Sequence, residues 1–253
     1  MKKLKVLWCR IPRPCRGLLN LAGIALLVFL LYTSIGGTPL SRAHAFRRAE
    51  RANFVGPSKI LFNETLEGMY YNHVLVAASD YGVSTYIHHL HNGKPNGEFN
   101  YFPKTGSVTV VSVPTNYNFY GTNGGLGGLP VYVVDDYPEA KYAELEIAVT
   151  GTFPIRYNEE NKRISLNHHF SSNAHREHSG IFAFAITLTD PSYGPDCSVY
   201  SSQGYALDAL AWTFSKWGRS MVEETKIVAT VRLYDKNENL ITEQELLLKT
   251  PFS

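Results

Sequence analysis

Residues 225–249 read TKIVATVRLYDKNENLITEQELLLK, and their alternation decides the fold class. Successive side chains of an extended strand point to opposite faces. Ile227, Ala229, Val231 and Leu233 therefore share one face, with Val228, Thr230, Arg232 and Tyr234 on the other. The polar stretch Asp235-Lys236-Asn237-Glu238-Asn239 supplies a turn, because Asn tolerates left-handed backbone and bonds to its own neighbours. A second strand follows, with Leu240, Leu246 and Leu248 on one face, and the whole reads as a β-hairpin. A second hairpin is predicted where Ile155 and Tyr157 precede Asn158-Glu159-Glu160-Asn161-Lys162 and Ile164 and Leu166 follow.

The same texture extends back to Pro57: short β-branched and aromatic runs broken by Gly, Pro, Asn and Asp. Further strands are predicted at Lys59–Asn63, Met69–Ala77, Val83–His91, Ser107–Val113, Pro130–Asp135, Ala143–Gly151, Arg163–Phe170 and Gly180–Thr189. One segment departs from the pattern. Leu207, Leu210, Ala211, Phe214 and Trp217 recur at helical spacing, predicting one helix near 203–219, with Ser201 or Ser202 as its cap. Its aromatic residues read as core. The expected fold is mostly β, an antiparallel two-sheet sandwich, with an open barrel as the second choice.

Ahead of the β region, residues 18–35 read LLNLAGIALLVFLLYTSI without a charge. Extended through Gly36, the run approaches the roughly 20 residues that cross ~30 Å of hydrocarbon as a helix. Six bases and no acid precede it, whereas four bases and one acid follow within a short distance. The tail before it is therefore expected in the cytoplasm. The organisation expected is a basic cytoplasmic tail at 1–17, a transmembrane signal-anchor helix at 18–36, a juxtamembrane linker at 37–57 and an extracytoplasmic β-rich domain at 58–253. Ala43-His44-Ala45 offers the alternative of a cleaved secretion signal ending at Ala45. Arg42 to Arg51 offer another, a short amphipathic helix lying on the outer membrane face.

Charge separates along the same boundary. Residues 1–56 hold ten Lys and Arg and one acid, leaving fourteen bases and twenty-one acids of the totals of 24 and 22 for residues 57–253. The first part is thus near +9 and the body near −7. A basic tail suits an anionic membrane surface, whereas an acidic body excludes nucleic acid as its partner, since phosphate neutralisation needs surplus Lys and Arg. Cys9 and Cys15 lie in the tail and Cys197 is alone in the body, so no disulfide forms within the body and its core must hold it together.

Nine histidines are the most suggestive chemistry, and seven cluster in YIHHLHNG around His88, His89 and His91 and in NHHFSSNAHREH around His168, His169, His175 and His178. Neutral imidazole is a common metal ligand. His89 and His91 would share a strand face, and His175 and His178 are spaced for one helical turn, so these four are the candidate ligands for zinc or copper. The glycine loop Gly121–Pro130 lacks the Lys-Ser/Thr of a phosphate-binding loop and joins two strands rather than a strand and a helix. It reads instead as a binding loop, with Tyr117, Phe119, Tyr120, Gly124, Gly125, Gly127 and Gly128 as its candidate contacts. There is no G-x-S-x-G elbow, and Cys197 has no His beside it in sequence. Of the acidic pairs, Asp135-Asp136 reads as a strand terminus and Glu159-Glu160 as a hairpin tip. Asn63-Glu64-Thr65 has the form of a glycosylation sequon, with meaning only in a eukaryotic secretory route.

The sequence therefore leads to a membrane-anchored extracytoplasmic β-sandwich that binds or assembles with another envelope or surface protein. A metal-binding protein or metal-dependent enzyme using the two histidine clusters is one alternative, and a carbohydrate-binding envelope module is another.

Overall fold

The computed structural model describes residues 12–35, 41–65, 73–91, 94–113, 128–154, 163–187, 202–214 and 222–249. The chain divides into two compact units, Met1–Asn53 and Phe54–Ser253.

In the first unit, helix α1 (Arg13–Ile35) carries the apolar run. Twenty-three residues at 1.5 Å each make a rod about 35 Å long. Leu18, Leu21, Ile24, Leu26, Leu27 and Val28 are all more than half exposed, so no protein covers the stretch among the described residues. An exposed apolar helix near the N-terminus is the form of a signal anchor or a signal sequence. Helix α2 (Arg42–Ala52) follows. It starts at Ser41, whose hydroxyl accepts from the His44 backbone N–H at 3.1 Å. It ends at Asn53, which donates its backbone and side-chain N–H groups to the Ala49 carbonyl. Ala45, Phe46 and Glu50 are buried on one face. Phe46 is among the largest fully buried side chains.

The second unit contains eleven described strands in three antiparallel sheets, with no closed barrel among the described residues. The first sheet runs β1 (Lys59–Thr65), β2 (His73–Ala78), β3 (Gly82–His91) and β4 (Lys94–Pro103) in that order. The second is ordered β11 (Leu240–Leu247), β10 (Thr225–Tyr234), β7 (Tyr142–Pro154) and β8 (Arg163–His175). The third is β5 (Val108–Ser112), β6 (Gly128–Asp135) and β9 (Ile181–Thr187). The expected two-sheet sandwich is thus replaced by three sheets, for a reason visible in β5 and β6. Every residue of VTVVS in β5 is buried, as are Val131 to Asp135 of β6. A strand apolar on both faces needs cover on both, which a two-layer sandwich cannot give. One continuous core joins residues of all three sheets and of helix α3 (Ser202–Thr213).

The hairpins form as predicted. β10 and β11 pair antiparallel, and Ile227, Ala229, Val231 and Leu233 are buried in the core. Leu240 departs from expectation. A register shift at Leu233/Tyr234 carries it to Tyr234, and it is 52% exposed while Leu246 and Leu248 pack against the core. β7 and β8 pair from Tyr142↔His175 to Pro154↔Arg163, although the turn between them lies outside the described residues. Helix α3 lies against β7 and β8 and buries Ala206, Leu207, Ala209, Leu210 and Phe214, while Trp217 falls beyond the described residues. β4 was not expected, since KPNGEFNYFP carries the Pro, Gly and Asn of a turn.

Candidate functional site

The second sheet has one buried and one open face. Toward the core, β7 sends Ala143, Leu145, Ile147 and Val149, and β8 sends Leu166, Phe170 and Ala174. The intervening residues make the open face, and cross-strand register sets who meets whom. Glu144 lies opposite Asn173 on β8 and Arg232 on β10, and Arg232 lies opposite Glu243 on β11. Glu146 and Glu245 both flank Thr230 in the next row.

Arg232 sits at the centre of this acidic patch. Its guanidinium reaches Glu146 at 3.2 Å, Glu243 at 3.4 Å and Glu144 at 3.9 Å. Hydrogen bonds to Glu146 and Glu243 hold its pKa above the ordinary arginine value. One cation faces four carboxylates when Glu245 is included, so the patch keeps an uncompensated negative charge. Beside it stands an aromatic group. The Tyr142 ring lies 5.6 Å from that of Tyr234 and 5.2 Å from that of His175. Tyr234 donates its hydroxyl to Glu144 at 2.8 Å, which raises the Tyr234 pKa above the usual phenol value, with partial desolvation adding to it. Partial desolvation, then the charges of Glu144 and Glu238, raise that of Tyr142.

The patch ends at β11, the edge of the sheet. Its outer side meets no other strand among the described residues. Glu243 and Glu245 are exposed along it, and Leu240 and Leu247 stand 52% and 53% exposed at its two ends. On the inner side Gln244 donates to the Ser107 hydroxyl at 2.8 Å and fixes the strand in place.

Of the residues singled out from sequence, His175 belongs to this aromatic group. Tyr117, Phe119, Tyr120, Gly124, Gly125 and Gly127 lie outside the described residues, and Gly128 is the first residue of β6 rather than part of a loop, paired with Thr187. His89 and His91 occupy β3 opposite Asn96 and Lys94. The helical turn expected to join His175 and His178 is absent, because His175 closes strand β8 and His178 lies in the following turn. His175 packs on Tyr142, whereas His178 Nε2 lies 3.1 Å from Glu64 and its ring meets Phe62 edge-on. Among the described residues no three His, Cys, Asp or Glu side chains converge to hold an ion. A third histidine, His73, is buried on β2, with Nδ1 3.0 Å from the Thr65 hydroxyl and Nε2 2.5 Å from the Asn63 side-chain oxygen.

Asp135 is the strand terminus that its sequence indicated, and it is buried too. Arg176 donates to its two carboxylate oxygens at 2.7 and 2.6 Å, and the guanidinium stacks 4.6 Å over Phe182. The backbone N–H of Tyr137 also donates to it. This clasp joins the end of β6 to the exit of β8, which is a structural task. The Arg232 patch was missed because Glu144 and Glu146 precede Arg232 by 88 and 86 residues in the chain. The available signal was the pair of E-x-E repeats, Glu144/Glu146 and Glu243/Glu245, each placing two acids on one strand face.

No family model, no curated protein and no solved structure matches the chain.

Proposed function

We propose that the chain is a membrane-tethered β module that binds a second protein by adding a strand of it to the open edge of β11. The carrying observation is that edge: a strand of eight residues, Leu240–Leu247, with exposed side chains and no neighbour on its outer side among the described residues. Unpaired backbone N–H and C=O groups in a fixed row are a template for another strand, and soluble proteins usually cover or kink such an edge. In this reading α1 is an uncleaved anchor, the tail before it is cytoplasmic and the body faces the periplasm or the exterior. The place of Ala43-His44-Ala45 favours retention, because cleavage after Ala45 would remove the Ser41 cap and the first turn of α2.

A photo-crosslinking amino acid at Leu247 tests the edge, with one at Tyr81, which is 81% exposed on the β2–β3 turn, as the control. A discrete adduct in native membranes from position 247 and none from position 81 is the outcome expected. Equal labelling from both positions, or none, would end the proposal.

A second reading, glycan binding, is favoured by Tyr142, Tyr234 and His175, whose grouped rings suit the flat face of a sugar. Retention of the body on insoluble polysaccharide, abolished by Tyr142→Ala with Tyr234→Ala, would support it over the first.

A further inference from the structure

The charges along β11 narrow the partner, if the edge binds as proposed above. From the register with β10, Glu243, Glu245 and Leu247 share the open face of the sheet, lying opposite Arg232, Thr230 and Val228. A strand added on the free side would set its own residues about 5 Å from these three. Opposite charges across such a pair stabilise it and like charges oppose it. Arg232 neutralises no more than one of the carboxylates at Glu144, Glu146 and Glu243, and Glu245 has no cation opposite it on β10. Within the strand the edge thus presents two acids and then an apolar side chain, with Lys249 following beyond its end.

We infer that the partner is a basic segment whose added strand carries an apolar residue, then Lys or Arg, then Lys or Arg, at alternate positions. The order follows from antiparallel addition, the arrangement of every pair in this sheet. The first residue packs on Leu247, and the two bases pair with Glu245 and then Glu243. The same charges oppose a second copy of this chain in the central registers. Two β11 strands meeting antiparallel about Glu243, Gln244 or Glu245 bring a carboxylate against a carboxylate in each register.

The test uses the full chain in detergent micelles and a synthetic peptide of about a dozen residues with the core Val-Thr-Lys-Thr-Lys. Its counterpart carries Val-Thr-Glu-Thr-Glu. The basic peptide should bind, more tightly at low salt, and the acidic one should not. Glu243→Gln with Glu245→Gln should weaken binding roughly tenfold. Glu243→Lys with Glu245→Lys should reverse the preference between the peptides. Melting curves that match the parent certify that both variants are folded. Equal binding of the two peptides, or a preference that the charge reversal leaves in place, overturns the inference. If neither peptide binds while the Leu247 crosslink still forms, the basic partner is refuted and strand addition survives. If the crosslink also fails, strand addition itself is refuted.

Discussion

Arg176 and Asp135 show how much one buried contact can hold. Both side chains are nearly solvent-free, at 7% and 0% exposure, so removing either strands a charge where water cannot reach it. Arg176→Ala should cost roughly 3–5 kcal/mol in urea unfolding, whereas replacing both with apolar residues of similar volume should cost far less. Asp235 offers the opposite case, an exposed carboxylate held by its own turn. It accepts from the Asn239 side chain at 2.9 Å and from the backbone N–H groups of Asn239 and Asn237 at 2.9 and 2.7 Å. These bonds, the Asn239 side chain first, hold its pKa below the ordinary aspartate value. A depressed acid stabilises the fold above its unfolded pKa and loses that contribution as pH falls through the folded one. Carbon NMR of the Asp235 carboxyl should therefore show titration below the model-peptide value, moving back to it in Asn239→Ala. That Asp235 opens a turn was readable from DKNEN, but which atoms bond was not, since it depends on Glu238 taking a positive φ of 63°.

At the level of strands, legibility followed periodicity. β10 alternates one apolar and one polar residue, and its two faces were assigned correctly from sequence alone. β5 and the second half of β6 are buried on both faces, and a mainly apolar run says that a strand is buried without saying what covers it. The third sheet was invisible for that reason. β4 was missed because Gly97 and Pro95 mimic a turn; Gly97 is tolerated within the sheet because the Tyr86 side chain occupies the space that a Cβ would fill. Gly151 has a different role. Its φ of +111° suits glycine alone, and a Cβ would collide with the Glu224 carbonyl oxygen of the adjoining turn. Gly151→Ala should destabilise the body by about 1–3 kcal/mol. Gly106→Ala, where the nearest side-chain atom is 3.8 Å away, should be close to neutral in the same denaturation experiment. The Arg232 patch was less legible than any strand, since it exists only once register has set Arg232 among acids drawn from two other strands.

For the molecule as a whole, the division at Asn53/Phe54 predicts a body that folds without helices α1 and α2. A fragment beginning at Phe54 should be soluble, with a far-ultraviolet circular dichroism spectrum of β type; a spectrum dominated by helix would contradict the fold. In sealed right-side-out vesicles, added protease should digest the body and spare the tail if the cytoplasmic placement of residues 1–17 is correct. Connectivity adds a mechanical consequence. The first described strand is β1, an outer strand of its sheet, paired along the short ladder from Lys59↔Ala78 to Thr65↔His73. If α1 is a retained anchor and β11 holds a partner, as proposed above, tension between them would enter the body there before it reaches the long β7–β8 ladder. The ladder is already irregular between Ile60 and Phe62, so yielding starts near the pulled end. His73, bonded to both Asn63 and Thr65, latches the far end. In that arrangement β1 would act as a fuse, its first residues peeling before Phe62, a member of the core, has to leave its place.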